Sequence, residues 1–224
     1  MSEMIQAFIA EYGSLLVDGT IATLIMTTVS TVIAYLIGIP IGVIVTITAP
    51  DSLRPHTVVN AVLGWIVNIG RSIPFIILLV ALIPVSRFIA GTSLGTIGAI
   101  VPLTIGAIPF VARMVEGSLA EIGPGRVEAA QAFGASTLQI ITKVLLWESL
   151  PSLIRGAAIT YITLIGYSAI AGAVGAGGLG DIAIRFGYYR YQDEVMVATI
   201  VLLIIVVQII QSTSDILSKK IDKR

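Results

Sequence analysis

Four long stretches of this chain carry no charged residue: Gly19 to Pro50, Phe88 to Ala112, Gly156 to Gly180, and Val195 to Ser214. Each is long enough to cross a bilayer, which takes roughly 20 apolar residues in a helix. A fifth stretch, Pro55 to Ser86, is broken only by Arg71 and reads as a span with an interruption. None alternates in the short apolar–polar rhythm of a barrel strand, so backbone satisfaction in lipid requires helices. The pattern predicts an all-α integral membrane protein, a five-helix bundle in one domain over residues 1–224. The expected spans are about 20–48, 58–84, 90–113, 152–174 and 194–215, with one long polar connection at about 118–148.

Composition strengthens this reading. Hydrophobic residues make up 56% and charged residues 12% of the chain, against about 25% charged in soluble domains. The net charge is zero, so nothing favours a nucleic-acid partner. Cysteine is absent, which excludes disulfides and thiolate metal sites. The first 18 residues contain Glu3, Glu11 and Asp18 but no basic residue, unlike a secretory signal, so the first span is expected to stay in the membrane. Basic residues cluster after span one (Arg54), after span three (Arg113, Arg126, Lys143) and in the tail (Lys219, Lys220, Lys223, Arg224). By the positive-inside rule the amino terminus faces out and the carboxyl terminus faces the cytoplasm.

Local signals refine the pattern. Span two contains Asn68-Ile-Gly-Arg-Ser-Ile-Pro74, and a glycine-to-proline passage kinks or unwinds a helix because proline removes a backbone donor. Arg71 within it should face protein or water, since an unpaired charge in hydrocarbon costs several kcal/mol. The alternative is a shorter span from which Arg71 snorkels to the interface. Spans three and four are rich in small residues that permit close helix packing. In the connection, Gly123-Pro124-Gly125 breaks the chain, Arg126 to Phe133 reads as a short exposed helix, and Gly134 stops it. Ser136 and Gln139 then have capping-box spacing before the next apolar run.

Several chemistries are excluded or weak. Gly175, Gly177 and Gly180 form G-x-G-x-x-G, but an apolar span precedes them where a dinucleotide fingerprint needs a strand. A loop or tight packing is the expected role. The lone His56 sits in a polar turn and is assigned nothing. One histidine and no cysteine assemble no triad or metal cluster. No carboxylate lies within a charge-free span, as ion-coupled transporters usually require, and no lysine follows a glycine as in a P-loop. Nucleotide energy would have to come from another polypeptide.

Glu128, Ala129, Ala130 and Gly134 read E-A-A-x-x-x-G on the inward-facing connection. As a string it also fits a plain surface helix, but a short helix of small residues can enter a partner's groove. With Val144 and Leu146 following at the spacing of an Ile-x-Leu-Pro ending, the chain resembles the type I permeases of bacterial ATP-binding-cassette importers. Trp147 stands where proline is usual. The stretches NIGRSIPFIILL from Asn68, IVPLTIGAIPFVARMVE from Ile100, EAAQAFGAS from Glu128 and GYSAIAGAVGAGGLGDI from Gly166 bring it nearest to the methionine-uptake permeases.

The resemblance implies a bacterial inner-membrane subunit that dimerises and carries no cofactor or catalytic site of its own. It also implies two ATPase subunits holding ATP and Mg, an extracytoplasmic lipoprotein delivering a small amino acid, and ATPase coupling through Glu128, Ala129, Ala130 and Gly134. The translocation pathway is expected beside the span-two break and span four, with Arg71, Ser72, Tyr167 and Ser168 as candidates. An ion-coupled secondary transporter or a passive channel is the competing reading.

Overall fold

A computed structural model describes the backbone of residues 2–222, with side chains from Gln6 onward. Lys223 and Arg224, counted above in the basic tail, lie outside the described residues. All regular structure among the described residues is helical: α1 (Ser2–Ile47), α2 (Thr57–Ser72), α3 (Phe75–Ala81), α4 (Ile83–Ala90), α5 (Gly95–Ala120), α6 (Pro124–Ala132), α7 (Thr137–Gln139), α8 (Leu146–Glu148), α9 (Leu150–Gly172), α10 (Gly178–Ile182) and α11 (Asp193–Ile221). Helix widens to i→i+5 bonding over Ile140–Leu145 and Ala183–Tyr188. Four helices, α1, α5, α9 and α11, are long and apolar enough to cross a membrane. The pair α2 and α3 makes a fifth span when taken together, bent by 99° at Ile73 and Pro74. The break expected between Gly70 and Pro74 therefore falls at its proline end, where no N–H is available to continue the ladder.

Helix α1 begins at Ser2, far ahead of the expected start near residue 20. Glu11 and Asp18 do not end it, because the intervening apolar side chains have a core to join. Leu16 packs in a cluster with Leu179, Ile182 and Val195, and Phe8, Tyr12 and Leu15 lie against it. Fourth-span helix likewise starts before residue 152, since α7, the widened turn, α8 and α9 follow one another from Thr137.

The chain forms two compact units, each threaded by parts of the four long helices. In the first (1–32, 74–105 and 161–210), hydroxyls tie segments together: Thr23 Oγ1 accepts the Leu179 N–H at 2.9 Å, and Thr28 and Tyr161 share a hydrogen bond of 2.6 Å. The G-x-G-x-x-G stretch belongs here. No strand precedes it; Gly175, Gly177 and Gly178 take φ of +92°, +76° and +80° in the turn between α9 and α10, where L side chains are strained. A Cβ on Gly180 would lie 2.6 Å from the Ala169 carbonyl oxygen. The left-handed backbone at Gly175 and Gly177 and the tight packing at Gly180 account for these glycines.

In the second unit (33–73, 106–160 and 211–224), α1 meets α5 through Gly38 and Gly42. A Cβ on Gly42 would stand 2.6 Å from the Ala112 carbonyl oxygen and 2.7 Å from Val115 Cβ. Overpacking of this kind costs about 1–3 kcal/mol. Gly42→Ala is expected to lower the melting temperature of the detergent-purified chain, whereas Gly117→Ala, with open space around it, leaves it unchanged or raised. Equal melting of Gly42→Ala and wild type would contradict the close approach. Polar side chains survive in the apolar helices by bonding backward: the hydroxyls of Thr20, Thr27, Thr46, Thr160 and Thr199 each donate to the carbonyl four residues earlier.

Candidate functional site

Helix α6 is set between two backbone stops. Gly123 precedes it and Pro124 occupies its first turn, where a missing N–H costs nothing. At the other end Gly134 adopts φ +76°, its N–H donating to the Gln131 carbonyl at 2.9 Å while the Ala135 N–H reaches the Ala130 carbonyl at 3.0 Å. That pair of bonds is a Schellman cap, which requires a residue comfortable in the left-handed region. The next helix opens on the expected capping box: the Gln139 N–H donates to Ser136 Oγ at 3.4 Å and the Ser136 N–H to Gln139 Oε1 at 2.8 Å. Glycine in the E-A-A-x-x-x-G string is therefore the hinge between two capped helices.

Glu128 and Ala129 are exposed and Ala130 is half-buried. Glu128 makes no hydrogen bond or ion pair among the described residues. It lines a cleft of about 300 Å³ with Asp51, Ser52, Leu53, Gln131 and Leu145. Helix α6 is held by Arg126, whose guanidinium meets the Glu148 carboxylate at 2.6 Å. Both partners are close to half exposed, and such pairs contribute about 0–1 kcal/mol. Arg126→Gln is accordingly expected to lower the melting temperature by at most about 2–4 °C in a thermal-unfolding measurement.

The candidate pathway residues divide between the two units. Arg71 and Ser72 belong to the second. Arg71 is exposed and has no hydrogen bond or ion pair among the described residues, so it does not reach the carbonyls loosened by the break. Ser72 Oγ donates to the Asn68 carbonyl at 2.8 Å. The neighbouring arginine behaves differently: Arg113 donates to Asn68 Oδ1 at 2.5 Å and to Glu116 Oε2 at 2.7 Å. Tyr167 and Ser168 belong to the first unit. Tyr167 stacks on Phe75 with ring centroids 4.4 Å apart and planes 3° from parallel. Ser168 is 2% exposed and its hydroxyl donates to the Ile165 carbonyl at 2.7 Å.

Residues 38–224 match the family of binding-protein-dependent transport system inner membrane components. This chain belongs to that family.

The match includes α6 and both flanking caps. Two relatives have names that state a substrate: the probable D-methionine transport system permease protein MetI of Vibrio cholerae is 52% identical over 95% of this chain and 94% of its own length. The D-methionine transport system permease protein MetI of Escherichia coli K12 is 53% identical over 70% of this chain and 73% of its own. Among solved structures, one of the MetNI methionine ABC transporter in inward facing conformations superposes with a TM-score of 0.94 at 50% identity, covering 95% of this chain and 99% of that one. An amino acid ABC transporter with histidines superposes with a TM-score of 0.77 at 18% identity, covering 95% of this chain and 96% of that one, and shares the fold.

As a family member, the chain is an inner-membrane transporter component, and one feature of its α6 region escaped sequence reasoning. Phe133, Leu138 and Trp147 are 93%, 70% and 66% exposed, forming apolar knobs around a helix that is otherwise small and polar. Phe133 immediately before the Gly134 stop resembles a core anchor in sequence.

Proposed function

We propose that this chain is the membrane-spanning permease subunit of an ATP-driven methionine importer, acting as one domain over its whole length. It forms the translocation pathway as a homodimer and couples through α6 to separate ATPase subunits that hold ATP and Mg. An extracytoplasmic lipoprotein delivers the substrate. The amino terminus faces out and the carboxyl terminus faces the cytoplasm, as the basic residues dictate. The observation that carries the coupling role is α6 itself: a doubly capped helix presenting the unpartnered Glu128 carboxylate and the bare Ala129 methyl beside three exposed apolar side chains. A carboxylate with no partner among the described residues is available to a cation on another chain, and exposed aromatic residues are the common anchors of protein interfaces. The methionine reading rests on the relatives' names and on about half of all positions being shared with them.

ATP binding by the partners would draw two α6 helices together, turn the permease dimer outward to receive substrate, and hydrolysis would reset it. The proposed pathway residues are Tyr167, stacked on Phe75, and Ser168 in the first unit, and Arg71 and Ser72 in the second. The decisive experiment is uptake of labelled methionine into vesicles containing this chain and its ATPase, with the delivering lipoprotein outside and ATP inside. Uptake with ATP and none with a non-hydrolysable analogue is expected. Uptake that follows an ion gradient without ATPase, or flux indifferent to nucleotide, would replace this reading with a secondary transporter or a channel.

A further inference from the structure

The turn that leads into α11 carries a run of exposed tyrosines, Tyr188, Tyr189 and Tyr191, at 63%, 70% and 87% exposure, with the exposed Arg190 among them. Nothing in the coupling or pathway reading uses these residues. The turn is tightly held: the Tyr189 N–H donates to the Ile184 carbonyl at 3.0 Å, the Gln192 N–H to the Phe186 carbonyl at 3.2 Å, and Tyr191 sits at φ +57°. Only residues 189–192 separate the widened helix from α11. Even fully extended, four residues reach about 14 Å, so the rings stay close to the first turn of a membrane-crossing helix.

Two arginines flank this turn. Arg185 lies 5.1 Å and Arg190 4.5 Å from the centre of the Phe186 ring. Arg185 is already paired with Asp181 at 3.0 Å. Arg190 has no carboxylate within ion-pairing distance among the described residues, although Asp193 and Glu194 follow it closely; those two line a separate cleft with Glu11, Phe8 and Tyr12. Beyond the turn, α11 is the least covered of the long helices, with Val197, Val201, Ile204 and Ile205 exposed along it. Tyrosines concentrate at the level of lipid headgroups because the ring is apolar and the hydroxyl is not. An arginine fork matches the oxygens of a phosphate.

We propose that residues 188–191 are an interfacial anchor: the three tyrosines lie in the headgroup layer and Arg190, propped on Phe186, binds the phosphate of a phospholipid. The chain contains no cysteine, so Tyr189→Cys gives a single site for a nitroxide label in proteoliposomes of phosphatidylglycerol and phosphatidylcholine. The label is expected to collide comparably with oxygen and with a water-soluble nickel chelate, the mark of phosphate depth. Collision dominated by the chelate would make the turn an aqueous loop, and protection from both would make it a protein contact; either overturns the anchor. In parallel, the preference of the full-length chain for spin-labelled phosphatidylglycerol over phosphatidylcholine is expected to fall about fivefold in Arg190→Gln, the contribution of one basic residue at an anionic surface, and to persist in Arg190→Lys. An unchanged preference in Arg190→Gln refutes the phosphate contact. Loss of the wild-type preference on adding millimolar inorganic phosphate, with no change on adding the same concentration of chloride, would identify a free-anion site and likewise overturn the lipid assignment.

Discussion

Glu128→Ala is expected to leave the membrane helices folded and to weaken association with the ATPase by about ten- to a hundredfold. The estimate follows from removing one charge-assisted hydrogen bond, about 1.5–3 kcal/mol, at tenfold per 1.4 kcal/mol. Alanine keeps the helix propensity of the site, and no ion pair within the chain is lost, because Glu128 has none among the described residues. ATP-driven methionine uptake should fall with association. A steric version sharpens the test. Ala130 is half-buried and its carbonyl belongs to the helix cap, so a bulky residue there also strains α6, whereas Ala129 is exposed. Ala129→Trp should therefore prop the partner away without disturbing the chain itself. The measurement is co-purification of the ATPase and methionine uptake at matched membrane expression. Wild-type values for both variants would reduce α6 to an unengaged surface helix.

The contrast between Gly134 and Phe133 shows what is legible in the sequence. Gly134 and the Ser136/Gln139 pair announced the two caps because each depends on a local backbone demand: a positive φ in one case, an orphan N–H in the other. The outward direction of Phe133, Leu138 and Trp147 depends on how far the chain has rotated by the time it reaches them, which no local signal encodes. The same division holds in the membrane. Charge-free length marks the long apolar helices, and Pro74 marks the bend. The early start of α1 was hidden because Glu11 and Asp18 look like the end of an apolar run, while the packing of Phe8, Leu15 and Leu16 against Leu179, Ile182 and Val195 comes from distant sequence. The widened turns at Ile140–Leu145 and Ala183–Tyr188 had no compositional mark at all.

Two arginines near the span-two motif lead to opposite expectations. Arg113 is bound within the chain, to Asn68 and Glu116. Arg113→Met removes both contacts and strands a carboxylate, but with side chains 36% and 27% exposed water takes up much of the loss, so the cost is about 1 kcal/mol. A small fall in melting temperature is the expected sign. The Arg71 side chain has no hydrogen bond or ion pair among the described residues, and Arg71→Met should leave the melting temperature of the isolated chain unchanged. If the exposed guanidinium faces a second copy or a watery path, as proposed, its loss appears only in the assembled transporter. Uptake should then fall roughly tenfold, the equivalent of one charged hydrogen bond, with the loss recovered in part by Arg71→Lys. Thermal unfolding of the detergent-purified chain and uptake by the reconstituted complex separate the two arginines in one series. Normal uptake by Arg71→Met would mean that the side chain merely snorkels to the headgroups, since an arginine whose charge serves only to reach water can be replaced by an apolar side chain of similar length without affecting transport.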